Sequence, residues 1–181
     1  MKTGYIFTLT LICLMAVLSS CFRGEIRKKV LTDSLIKATE NIAIGKARFG
    51  ISESEFNQLF PDSLIELDGN KHNISSYFDS TGKLNSVYLI DLVTIDNRNF
   101  DGKLFKRMEL IKRYFSDTYG PPQKDRGYPV KQKMLNGKLF EACKWRVGKK
   151  NISVGIALEE TKVGNIYYVL SHVDRASTAS H

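Results

Sequence analysis

The sequence predicts an α+β fold, an antiparallel sheet of about six strands with two helices packed on one face. Three observations carry this expectation. Leu84 to Ile95 places Val87, Leu89, Asp91, Val93 and Ile95 on one side and Tyr88, Ile90, Leu92 and Thr94 on the other, as a central strand does. Asn151–Glu159 alternates as cleanly, with Ile152, Val154, Ile156 and Leu158 against Ser153, Gly155, Ala157 and Glu159. Between these strands Leu104, Met108, Ile111 and Phe115 recur at helical spacing, with Lys103, Lys106, Arg107, Lys112 and Arg113 on the polar side. The links between successive strands are short, which favours hairpins and meanders over parallel crossovers. With 181 residues, 43% of them hydrophobic and 25% charged, one core can form without disulfides or metals. The same composition excludes a wholly disordered chain and a collagen repeat.

The chain opens on a leader. Lys2 precedes Ile6–Leu18, which is apolar except for Thr8 and Thr10. A spanning helix needs about 20 such residues, so this run has the dimensions of a signal-peptide core. Leu18-Ser19-Ser20-Cys21 follows and resembles the bacterial lipobox, an aliphatic residue and two small residues before a cysteine. The resemblance implies cleavage between Ser20 and Cys21, diacylglycerol on the Cys21 sulfur and an acylated α-amine. An ordinary secretory signal with a chance cysteine is the plainer alternative. On the lipobox reading, residues 1–20 are a removed lipoprotein signal peptide and 21–41 a lipid-anchored tether. Residues 42–175 are then a single α+β domain and 176–181 a frayed tail. The expected location is the cell envelope, as a membrane-anchored lipoprotein. Phe22, where enteric inner-membrane lipoproteins commonly carry Asp, points to the outer membrane.

The tether carries Arg23, Arg27, Lys28 and Lys29, which suit an anionic lipid surface, and Val30, Leu31, Leu35 and Ile36 give it a weak apolar face. Ile42–Phe49 reads as a strand. Ser52 and Glu55 form a capping box for a short helix with Phe56, Leu59 and Phe60 on its apolar side, stopped at Pro61. Leu64–Leu67 and Ile74–Phe78 read as strands around the turn Asp68-Gly69-Asn70. The long helix ends at Gly120-Pro121-Pro122. Residues 121–137 read as a Pro-rich loop. Leu139–Val147 is expected to put Leu139, Glu141, Cys143, Trp145 and Val147 on one face and Lys144 and Arg146 on the other. Helix followed by hairpin and long strand occurs from residue 52 and again from 103, an echo of architecture rather than of sequence.

The chemistry that sequence reading can find is sparse. There is no P-loop, GxSxG, HExxH or CxxC pattern, so neither a catalytic residue nor a metal or cofactor ligand is singled out. Loss of Cys13 with the leader and lipidation of Cys21 leave Cys143 as a lone thiol. A Cys143–His172 nucleophilic pair is conceivable if adjacent strands join them. The plainer readings are a small core cysteine and a half-buried strand histidine. His72 reads as a turn residue. Asp91, among apolar neighbours, is expected to pair with an arginine or to lie at an exposed strand end; unpaired in a cleft it would be an acid of raised pKa. The net charge of +8, lowered by one when Lys2 leaves, suits an anionic envelope surface or simply solubility. Nothing in the pattern points to nucleic acid.

Ile44-Gly45-Lys46-Ala47-Arg48-Phe49-Gly50-Ile51-Ser52 before a short helix, and Tyr119-Gly120-Pro121-Pro122 after a long one, are similar to motifs of small envelope lipoproteins. The group includes the small lipoprotein of the outer-membrane barrel-assembly machine and the β-lactamase inhibitory protein fold. The resemblance implies non-catalytic protein binding on an antiparallel sheet, and it transfers no site residue. The expected function is a lipid-anchored binding or assembly module. A small envelope hydrolase with an unrecognised site is the alternative. The partners expected are the membrane, through the lipid on Cys21, and an envelope protein or anionic envelope surface. The contact surfaces expected are the uncovered sheet face and the loop Pro121–Gly137, where Tyr128, Lys131 and Lys133 offer aromatic and cationic groups.

Overall fold

The computed structural model describes residues 33–93 and 100–176. The leader, Cys21 and the segment 94–99 lie outside the described residues. The chain divides into a unit ending at Ala38 and a unit beginning at Thr39. In the first, residues 33–38 are helical and open α1 (33–39), on which Leu35 is 43% exposed. No helix among the described residues is long and apolar enough to cross a membrane.

The second unit begins with a hairpin of β1 (Ile42–Ile44) and β2 (Ala47–Arg48), turned at Gly45 with φ +53°. Ser52 then caps α2 (Glu53–Leu59). Its N–H reaches the Glu55 carboxylate at 2.7 Å and its Oγ accepts the Glu55 N–H at 3.3 Å, closing the expected capping box. Three strands follow, β3 (Leu64–Leu67), β4 (Asn70–Phe78) and β5 (Leu84–Val93). A π-type turn, Phe100–Leu104, leads into α3 (Phe105–Tyr119). The chain continues through β6 (Lys124–Asp125), β7 (Leu139–Val147), β8 (Lys150–Thr161) and β9 (Gly164–Arg175).

The architecture is α+β, with β3 to β9 in one antiparallel sheet of order β3-β4-β5-β9-β8-β7-β6. Two details differ from the sequence expectation of about six strands. The strand expected over 42–49 is broken by Gly45 into the separate β1–β2 hairpin. The loop expected over 121–137 supplies β6, whose Lys124 and Asp125 pair with Lys144 and Cys143, and a 3-10 turn at Lys131–Lys133. The architectural echo takes a concrete form. A helix and a meander occur twice, and the last strands of the two meanders, β5 and β9, meet in the centre of the sheet.

One face of the sheet is apolar and covered. Val87, Leu89, Val154, Ile156, Val169 and Val173 are completely or almost completely buried, as are Met108, Ile111 and Phe115 of α3. The Phe115 and Trp145 rings lie 5.8 Å apart, and the Trp145 indole N–H donates to the Gly120 carbonyl at 2.9 Å. That bond satisfies the polar handle of the largest core side chain. Burying a side chain the size of Phe115 contributes about 1.5–3 kcal/mol.

Lys150, the first residue of β8, also points to this side. It is fully buried. Its ammonium donates to the Thr39 carbonyl at 3.1 Å, the Ile42 carbonyl at 2.8 Å and the Tyr119 hydroxyl at 2.7 Å. It also lies 4.4 Å from the centre of the Tyr119 ring. Burial pushes Lys150 down to about 8 and Tyr119 up to about 12.

Candidate functional site: the open face of the sheet

Within the second unit, α3 packs against β7, β8 and β9 and the β1–β2 hairpin against β5 and β9 on the apolar face just described, and the opposite face presents the alternate side chains. Cross-strand pairing fixes their rows. Lys144, Ser153, His172 and Tyr88 lie side by side across β7, β8, β9 and β5. Arg146, Asn151, Asp174 and Ser86 form the next row. A cleft of about 370 Å³ opens over β7 to β9, lined by Gln123, Glu141, Lys144, Arg146, Asn151, Ser153, His172 and Asp174.

A bulge shapes this cleft. Glu141 faces Gly155 and Cys143 faces Val154, so Ala142 is an extra residue in β7. The shift moves Glu141 off the core side, where unbroken alternation places it, and onto the open face. There its carboxylate pairs with Lys144 at 2.6 Å. Gly155 is required opposite the bulge, because a Cβ at that position would overlap the Phe140 carbonyl.

Histidine 172 is the centre of the site. Its ring stacks on Tyr88 with centroids 4.4 Å apart and planes 6° from parallel. Its Nδ1 lies 3.7 Å from an Asp174 oxygen, beyond hydrogen-bond length, while the other Asp174 oxygen accepts from Asn151 at 2.8 Å. Its Nε2 is buried without a hydrogen bond. Burial lowers the His172 pKa, with Asp174 and Glu141 pulling the other way, so the ring is neutral at pH 7. On the rim, Gln123 clasps the Arg146 backbone through a 2.7 Å bond from its N–H, leaving the exposed guanidinium turned to solvent. The site therefore offers a stacked aromatic-imidazole pair, an exposed guanidinium and several amide and hydroxyl groups.

The residues singled out from sequence fall in different places. Cys143 and His172 cannot pair. Cys143 shares the row of Val154 and Ser171 on the helix side, and His172 shares the row of Ser153 on the open side. The Cys143 thiol is buried 3.7 Å from Asp125, and burial pushes it up to about 11, which makes it inert at neutral pH. His72 is not in a turn. It is a buried residue of β4, its Nδ1 3.4 Å from Asp91. Asp91 has the arginine partner expected for it. Arg107 of α3 grips its carboxylate at 2.7 and 3.0 Å and reaches Asn70 at 3.4 Å. Burial raises the Asp91 pKa, but His72 and Arg107 outweigh it and hold the carboxyl below its ordinary value.

The proposed contacts of the 121–137 loop separate as well. Tyr128 stacks on Phe105 at 4.1 Å and donates to Glu109 at 3.1 Å, so it is fastened to the outside of α3. The Lys131 ammonium lies 5.8 Å from the centre of the Phe100 ring and 5.6 Å from that of Tyr167. Lys133 is exposed. Sequence reading did not single out Tyr88, Ser153 or Asp174. The signal available for Asp174 was its i, i+2 spacing from His172 on one strand.

Compared with protein-family models, with curated proteins and with solved structures, the chain matches none. Its function has to be argued from its own residues.

Proposed function

We propose that this chain is a lipid-anchored cell-envelope protein, held at the outer membrane through Cys21, that works as a non-catalytic binding or assembly module. The observation that carries the reading is the asymmetry of the sheet. One face is covered by α3 and the β1–β2 hairpin, while the other displays the stacked Tyr88–His172 pair on β5 and β9 and, two strands from β9, the exposed Arg146 side chain of β7. Aromatic and arginine side chains are the groups that dominate contact energies between proteins. A surface-confined protein also meets neighbouring envelope proteins at raised local concentration, so modest affinity suffices. The lipobox and envelope-lipoprotein resemblances point the same way.

Two variants test the two halves of this proposal. Cys21→Ala abolishes fatty-acid incorporation and releases the chain from membranes or blocks its processing; continued labelling and sedimentation with membranes would remove the anchor. Arg146→Glu with His172→Ala leaves the chain folded and anchored but loses the envelope partner in cross-linking from intact cells. A partner retained by this double variant would remove the open face as the contact.

A hydrolase reading now has specific residues, because Ser153, His172 and Asp174 share one face. In the present geometry His172 leans on Tyr88 and makes no hydrogen bond to Ser153. Turnover of an envelope ester or amide by the wild type, lost in folded Ser153→Ala and His172→Ala variants, would establish this alternative.

A further inference from the structure

We propose that the end of the sheet bearing the β8–β9 turn is a docking surface for an anionic lipid bilayer, separate from the open face and independent of any acyl group on Cys21. Two segments meet there. The turn between β8 and β9 presents Lys162 and Val163. The segment after Tyr128 lies beside it, because Asn136 bridges to Leu158, the Gly137 N–H donates to the Leu158 carbonyl at 2.8 Å, and the Asn136 side chain accepts the Glu160 N–H at 2.9 Å.

This end carries the two most exposed large hydrophobic side chains of the described residues, Val163 at 79% and Leu135 at 67%, and Val130 at 52%. Folding contributes little to keeping them apolar, since none of the three is buried in the core. Exposed Lys133, Lys138 and Lys162 stand among them, and from Tyr128 to Lys138 there is no acidic residue. Glu159 and Glu160 are exposed on β8 just before the tip, against Lys133, Lys138 and Lys162. The segment is held rather than loose, with Lys131 over the Phe100 and Tyr167 rings and turns closed by the Lys133 and Lys138 N–H groups. Protruding aliphatic tips ringed by lysines match the chemistry of a bilayer interface, where apolar groups enter the acyl boundary and lysines remain at anionic headgroups. A protein partner of equal affinity is expected to meet aromatic and arginine anchors, which neither the stretch 129–138 nor the Lys162–Val163 tip contains and the open face supplies.

The test reads depth rather than binding, so attachment of the chain by its N-terminus does not confound it. An environment-sensitive fluorophore is placed on the full chain at Val163→Cys or Leu135→Cys. Ser80→Cys, in the turn at the other end of the strands, is the control. The expected result is quenching by a lipid-phase quencher at positions 163 and 135, but not at 80, on vesicles containing phosphatidylglycerol. Combining either label with Lys133→Gln, Lys138→Gln and Lys162→Gln returns it to water. The inference is overturned if position 163 stays as wet on anionic vesicles as in solution. It is equally overturned if quenching is the same on pure phosphatidylcholine and survives the triple change, or if the label dries only when envelope protein is added. Loss of fatty-acid labelling at Cys21 bears on the anchor alone and leaves this result unaffected.

Discussion

Two histidine–aspartate pairs sit on opposite faces of the same sheet and have opposite characters. His72 and Asp91 face α3, with the Asp91 carboxylate gripped by Arg107 at 2.7 and 3.0 Å. His172 and Asp174 face outward, with 3.7 Å between their nearest atoms and the imidazole resting on Tyr88. The difference shows how environment, not residue type, assigns a role. A buried carboxylate must be matched by charge, and the matching locks it into structure. A partly exposed pair held only by stacking and one amide is not locked in this way. The inner pair therefore belongs to stability, and the outer pair is the one on which the proposed recognition rests.

That contrast makes a graded set of expectations. The covered face should fail first. Phe115→Ala removes the side chain that joins α3 to Trp145 and should cost about 3–5 kcal/mol, read from chemical denaturation. Arg107→Met should follow at about 3 kcal/mol, softened by the partial exposure of the guanidinium, because it leaves Asp91 buried beside His72 alone. If Arg107→Met were neutral while Phe115→Ala was severe, the inner pair would not be the structural clamp described.

Acid should separate the pairs by pH. Asp91 has a lowered folded pKa, so its contribution is complete above the ordinary value of 3.8 and is lost as pH falls through the folded value. His172 is also lowered, from 6.5, so the unfolded chain takes up its proton first and stability declines as pH drops below that value. His172→Phe should remove the earlier decline and leave the later one. Alkali tests the buried ammonium. Lys150 falls to about 8 from 10.5 and Tyr119 rises to about 12 from 10.0. Stability should therefore climb from pH 8 as the unfolded chain alone retains the lysine proton, then decline above about pH 10 as the unfolded tyrosine alone ionises. Lys150→Met should abolish the climb.

The smallest effect is expected at the open face. His172→Ala should change stability by less than about 1 kcal/mol, the scale of one aromatic stack, while impairing partner cross-linking. A large loss of stability would make the outer pair structural as well.

Much of the fold was legible because local signals agreed. The Ser52–Glu55 cap, the α3 stripe ending at Gly120-Pro121, and the alternation of β5 and β8 each specify an element without tertiary context. The departures arise where pairing decides. The two residues of β6 have no pattern of their own and are strand only because β7 lies beside them. The bulge at Ala142 reverses the facing of Glu141, and strict alternation across Leu139–Val147 cannot show it. The burial of Lys150 depends on carbonyls at Thr39 and Ile42, over a hundred positions away, which no local pattern can show. The candidate site was half legible. The parity of His172 was visible, but its neighbours Tyr88 and Ser153 come from strands whose register is fixed only in the assembled sheet, and the His72–Asp91–Arg107 cluster joins three elements in the same way.

Site-specific photo-cross-linking in native membranes tests the central claim most directly. A photoreactive residue replaces Lys144 on the open face in one variant and Asp117 on the exposed side of α3 in another, both in the full chain. The account predicts a discrete adduct to an envelope protein from position 144, lost when His172→Ala is added, and no such adduct from position 117. An adduct confined to position 117, or one from position 144 indifferent to His172, would contradict it.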